Sequence, residues 1–140
     1  NINQLYSCFS IYILYFYQIF NDEFVTYMDK NEIKNFLAEF KKNMSAFGII
    51  YANRDKNTQT LADLEITAKF RDSILSNLLI EDYCQGPLTN DQFGTNPMWI
   101  FGIIVKKHEI YIKITILPTR AFCISFHISE HPLNYSLKNI

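Results

Sequence analysis

Glycine and proline are scarce in this sequence, four of each in 140 residues, and cysteine occurs three times. So little glycine and proline argues against a collagen-like or low-complexity chain. Cys8, Cys84 and Cys123 are scattered and odd in number, with no CxxC pair and no zinc-type spacing toward His108, His127 or His131. That pattern is not a disulfide framework or a metal site; it fits reduced thiols in a cytoplasmic protein. Net charge is −1, from 13 basic and 14 acidic side chains. No global basic surface exists, so any site for an anion must be local. The 49% hydrophobic and 19% charged content is that of a globular chain, and the length suits one domain of two packed layers.

Charge is absent altogether from residues 1–21, which are rich in Tyr, Phe, Ile and Leu. A membrane anchor is one reading, but Asn3, Gln4 and Gln18 leave the apolar run shorter than the roughly 20 residues of a span. A secretory signal fits less well, because no Lys or Arg precedes the run and no small-residue cleavage site follows it. The reading adopted takes residues 1–27 as an apolar extension read in frame from upstream DNA. The chain starts with Asn, and its first methionine, Met28, leads into a helix-like segment. Residues 28–140 are then the domain. Setting aside Asp22 and Glu23 leaves 13 basic and 12 acidic residues there, a net +1.

Within that domain Ile33, Phe36, Leu37, Phe40 and Met44 recur at helical spacing, which predicts an amphipathic helix over 31–44 stopped by Gly48. Residues 49–52 form a short strand candidate and 53–59 a polar loop. Thr60 with Asp63 resembles a capping box. Thr67 is placed to cap a longer helix carrying Phe70, Ile74, Leu75, Leu78 and Leu79 and ending before Gly86-Pro87. Residues 88–97 read as a turn-rich loop or flap. Three strands follow: 99–105, 109–117 and 121–129, with turns at 106–108 and 118–120.

The last two strands alternate. Ile110, Ile112, Ile114 and Ile116 face one way, and Glu109, Tyr111, Lys113 and Thr115 the other. Phe122, Ile124, Phe126 and Ile128 alternate likewise with Cys123, Ser125, His127 and Ser129. A three-residue turn at 118–120 keeps both apolar sets on one face and pairs Tyr111 with His127 and Lys113 with Ser125. A phenol, an ammonium, a hydroxyl and an imidazole then share the outer face. A turn at 106–108 adds Trp99 and Phe101 to it. A polar outer face is also what any half-exposed antiparallel sheet presents. The mix of groups is what points to acid–base chemistry.

Several segments together are similar to the MqsR-type toxins, within the RelE-like group of small RNases. They are Asp82-Tyr83 with Gly86-Pro87, Trp99-Ile100-Phe101-Gly102, Glu109-Ile110-Tyr111-Ile112-Lys113, Cys123-Ile124-Ser125-Phe126-His127 and Pro132-Leu133-Asn134-Tyr135. The resemblance spans residues 31–135. It implies an α+β, two-layer fold with N-terminal helices on an antiparallel sheet of about three to four strands. It also implies a sequence-selective endoribonuclease that cuts messenger RNA and is held inactive by an antitoxin. Familiar members carry tyrosine and lysine at the positions of Tyr111 and Lys113 and a basic residue at that of His127. Two positions depart: a lysine of those members falls at Gln85, and a glutamine at Ile100.

The chemistry implied is attack of the ribose 2′-hydroxyl on phosphorus, needing no metal or cofactor and giving a 2′,3′-cyclic phosphate. His127 is the candidate acid or base, Lys113 the phosphate ligand and Tyr111 an orienting group or proton donor. Ser125 is a lesser phosphate contact. Trp99 is placed to stack an unpaired base, whereas Phe101 reads as core. Lys106 and Lys107 are candidates for guiding the RNA backbone, and Gln85 for contacting it. The expected partners are single-stranded mRNA and an antitoxin with a helix-turn-helix domain. The alternative is a toxin-like module without activity that only binds an antitoxin or RNA.

Overall fold

The structure is a computed structural model that describes residues 30–89 and 96–138, together with Ile13 and Phe16. The apolar extension, those two residues apart, and most of the expected flap at 88–97 therefore lie outside the described residues. Chain contacts divide the molecule into two units, Asn1–Lys34 and Asn35–Ile140. Apart from residues 30–34 at the start of the first helix, the architecture set out here belongs to the second. Among the described residues, no helix is long and apolar enough to cross a membrane.

Helix α1 (residues 30–47) follows the predicted pattern: Phe36, Leu37 and Phe40 are buried while Glu39 and Lys42 are exposed. Gly48 ends it at φ +75°, its N–H donating to Met44 O at 2.9 Å, a closure that a left-handed residue supplies. The chain continues through β1 (Ile49–Tyr51), α2 (Asp55–Asp63), α3 (Ala68–Ser76), a 3₁₀ turn (Ile80–Asp82), β2 (Tyr83–Leu88), β3 (Met98–Val105), β4 (His108–Leu117) and β5 (Arg120–Ile128). The described strands form one five-stranded sheet in the order β1-β5-β4-β3-β2. It is mixed: β1 runs parallel to β5 and the other pairings are antiparallel. The α+β class is as expected, but the sheet is wider than three to four strands and not wholly antiparallel.

Three local expectations are corrected. Residues 53–59 are not a loop, and Thr60 is not a cap. α2 already starts at Asp55, and both Asn57 and Thr60 are buried within it. The second long helix does not reach Gly86. Thr67 caps α3 as expected, accepting from Phe70 N at 3.1 Å, but the helix ends at Ser76. There Ser73, Ser76 and Asn77 side chains bond to carbonyls one turn back, and such back-bonding competes with helix propagation. Of its apolar residues Ile74, Leu75 and Leu78 are buried, while Phe70 and Leu79 stay exposed. Finally, Tyr83–Leu88 pairs with β3 as a strand.

The two hairpins set which residues share a face. Lys106 and Lys107, both at positive φ (47° and 71°), make a two-residue turn with Val105 opposite His108, the tight form that matches strand twist. The predicted turn was one residue longer. The shorter one pairs Phe101 with Ile112 and Trp99 with Ile114. Trp99 and Phe101 therefore lie in the core, Trp99 only 2% exposed and stacked on Phe36 at 4.9 Å.

The second turn is also shorter than predicted, with Leu117 opposite Arg120. A bulge between the Lys113–Ser125 and Ile114–Cys123 pairs compensates for the lost residue. Tyr111 opposite His127 and Lys113 opposite Ser125 thus pair as expected. Beyond the bulge the alternation of β5 inverts. Cys123, expected on the outer face, is fully buried, and Phe122 is half-buried. Thr115 is buried as well and donates to Pro97 O at 2.7 Å.

Candidate functional site

The site lies where β4, β5, the start of α2 and the segment after β5 meet. A hollow of about 360 Å³ is lined there by Tyr111, Lys113, Ser125 and His127, with Arg54, Lys56 and residues 129–133 around them. Of the sequence-predicted residues, these four strand positions are brought together. The rings of Tyr111 and His127 stack with centroids 5.2 Å apart and planes 20° from parallel. The Lys113 ammonium stands 5.9 Å from the Tyr111 ring centroid, inside the range of a cation–π attraction. Ser125 is only 3% exposed and forms part of the floor.

Hydrogen bonding orients the imidazole. His127 Nδ1 lies 2.9 Å from Ile128 O. A carbonyl can only accept, so Nδ1 carries the proton and the neutral ring has its free lone pair on Nε2. Burial raises the Tyr111 pKa, partly opposed by the charge of Arg54, so at neutral pH the group is a phenol and a proton donor. Burial lowers the Lys113 pKa, and repulsion from Arg54 adds to this.

Two supports hold the surroundings. The first is α2. Where β1 no longer covers β5, side chains of α2 take over the strand's backbone groups. Asn57 Nδ2 donates to Ile124 O at 3.2 Å, Asn57 Oδ1 accepts from Phe126 N at 2.9 Å, and Thr60 Oγ1 accepts from Ile128 N at 3.3 Å. These bonds satisfy an otherwise open edge and bring Arg54, which precedes α2, to the rim. The second support is Glu109, whose carboxylate accepts from Leu133 N and from the Tyr135 hydroxyl, each at 2.9 Å. It ties the segment after β5 across the outer face of the sheet. That segment rests over Gly102, where a Cβ would come within 2.6 Å of both Leu133 Cδ1 and Tyr135 Oη.

The remaining predicted residues lie elsewhere. Trp99 is in the core and cannot stack a base. Lys106 is engaged at the C-terminal end of α2, its ammonium donating to Leu64 O at 2.8 Å and Glu65 O at 3.4 Å. Lys107 is exposed at the hairpin tip, away from the hollow. Gln85 is exposed on β2 and belongs to the cross-sheet row Gln85, Ile100, Lys113, Ser125. Two strand spacings, about 10 Å, separate it from Lys113. Ile100 occupies that row as a buried apolar residue.

Arg54 and the ion pair between Lys56 and Glu130 are not singled out by the sequence, where residues 53–59 read as a polar loop. The signal available there is the charge itself, Arg54 and Lys56 two residues apart in a polar stretch. Among the described residues, no three His, Cys, Asp or Glu side chains gather in a way that could hold a metal ion. Comparison of the chain with family models, with curated proteins and with solved structures gives no match.

Proposed function

We propose that this chain is the toxin of a bacterial toxin–antitoxin pair, an MqsR-like endoribonuclease of RelE-type fold acting on single-stranded mRNA in the cytoplasm. The observation that carries the reading is the stacked Tyr111–His127 pair beside Lys113 in one hollow. Together these supply a base, an acid and a cation, the groups that phosphodiester transesterification needs.

In the proposed reaction His127 Nε2 takes the proton of the ribose 2′-hydroxyl. The 2′-oxygen attacks phosphorus and the bond from phosphorus to the 5′-oxygen breaks. Tyr111 gives its phenolic proton to that leaving oxygen. Lys113 offsets the charge that accumulates on the non-bridging oxygens. The products are a 2′,3′-cyclic phosphate and a 5′-hydroxyl, and exchange with solvent restores both side chains. No metal or cofactor takes part in this scheme.

The test is incubation of the purified chain with end-labelled RNA, with and without EDTA, alone and on translating ribosomes. Cleavage to cyclic-phosphate ends, lost in His127→Ala and Lys113→Ala, is the expected result. Cleavage by both variants at the parent rate overturns the assignment. A second reading, an inactive module that only binds an antitoxin or RNA, is favoured by Ile100, which puts an apolar side chain in the row of Lys113 and Ser125. It predicts no cleavage but tight binding to the product of a neighbouring helix-turn-helix gene.

A further inference from the structure

Arg54 is the residue at the start of α2, in extended conformation (φ −130°, ψ 132°), and its side chain makes no cap to that helix. It lines the hollow with Lys113, Tyr111 and His127. Its location is built in, because the Asn57 and Thr60 bonds to β5 fix the first turns of α2 against the strand that carries Ser125 and His127. Lys113 arrives on the neighbouring strand from the other side. Two cations from separate elements thus face one space.

Among the described residues, neither of them has a carboxylate partner. The ion pairs formed are Lys56 with Glu130 and Arg71 with Asp72. Glu130 also lines the hollow, and its charge is taken up by Lys56. Like charges held together without a counter-ion cost folding free energy, and an anion placed between them offsets that cost. The two groups also differ in shape: the guanidinium is a planar fork that grips a phosphate bidentately, whereas the ammonium is a point charge.

We infer that Arg54 and Lys113 form a two-cation seat for a single phosphodiester phosphate of RNA, with Arg54 as its bidentate ligand. The inference rests on the RNA reading above and names the ligand that the alternating strands leave out.

The experiment measures binding of a short, mixed-sequence, 2′-O-methyl oligoribonucleotide, which cannot be cut, over a range of salt concentrations. The proteins are the full-length parent, Arg54→Ala, Arg54→Lys and Lys113→Ala. For single strands, log K falls against log salt with a slope of about −0.7 per phosphate contact. Arg54→Ala and Lys113→Ala should each flatten the slope by about one such contact. Arg54→Lys should keep the slope and bind more weakly than the parent, since it retains the charge and loses the fork. A parent-like slope in Arg54→Ala overturns the seat, as does failure of the parent to bind the oligonucleotide. Parallel cleavage assays on unmodified RNA separate the two ideas. A flattened slope without any cleavage by the parent upholds the seat and removes the nuclease reading. Cleavage by the parent with an unchanged slope in Arg54→Ala does the reverse.

Discussion

The imidazole of His127 stacks on the phenol of Tyr111 across the β4–β5 pair, with centroids 5.2 Å apart. Each ring restricts the rotamers of the other, and the Nδ1 bond to Ile128 O fixes the imidazole further. The pair therefore allows chemistry to be separated from packing. His127→Ala should lower single-turnover RNA cleavage by about 10²- to 10⁴-fold, the usual worth of a positioned acid or base. Tyr111→Phe keeps the stack and removes only the hydroxyl, so it should slow cleavage with no change in melting temperature. Tyr111→Ala should lose both rate and stability. Equal rates in the parent and Tyr111→Phe would remove the phenol from the proton-donor role.

The outer-face pairs were legible in the sequence because strand alternation is a strict period of two. The path by which they form was not. Two shorter turns were needed, and the bulge at Ile124 restored the register that a three-residue turn would have produced. No compensating bulge exists between β3 and β4, so Trp99 and Phe101 crossed to the core. The face of α2 that packs on β5 uses Asn57 and Thr60 rather than apolar residues, so hydrophobic periodicity could not reveal it. Arg54 was hidden because residues 53–59 read as a polar loop, with no helix to hold it against β5. β2 was missed because Tyr83 to Leu88 contains glycine and proline and pairs irregularly, with register shifts on either side of Gln85.

Asn57 offers a direct test of how β5 is supported. Its amide satisfies Ile124 O and Phe126 N, both within the protein. Asn57→Ala removes these bonds and the one to Ala52 O, and each buried group left without a partner costs about 1–3 kcal/mol. Urea denaturation should show a loss in that range or above. Thr60→Val, which removes one longer bond, should cost less. Asn57→Ala with a stability equal to that of the parent would mean that α2 does not serve as the edge of the sheet.

Alkaline pH should weaken the fold through its thiols. Burial pushes Cys84 and Cys123 up to about 12 from an ordinary value of 9.0. In the unfolded chain both ionise near the ordinary value, while in the folded protein they stay protonated. Between those limits the unfolded state binds fewer protons, so stability falls as pH rises. The thiol contribution is fully present below the ordinary value and is lost as pH climbs toward the folded one. Urea midpoints measured from about pH 8 to about pH 10, before most phenols ionise, should decline. The decline should shrink in a Cys84→Ala, Cys123→Ala double variant. An identical decline in that variant would assign the effect to other groups.

Gly102 decides how closely the segment after β5 can lie on the sheet. A Cβ added there meets Leu133 Cδ1 and Tyr135 Oη at 2.6 Å. Both are ends of side chains, so Gly102→Ala should displace the segment rather than the strand. The displacement pulls the Tyr135 hydroxyl from Glu109, and Leu133 N loses the second oxygen of the same carboxylate. Because Leu133 lines the hollow, its wall should loosen with it. Hydrogen exchange at the Leu133 amide should accelerate in Gly102→Ala, with the β4 amides unchanged and RNA cleavage reduced. Tyr135→Phe, which removes one bond and adds no atom, should accelerate the same amide less. A Leu133 amide as protected in Gly102→Ala as in the parent would show that Glu109 holds the segment without needing the close approach that glycine permits.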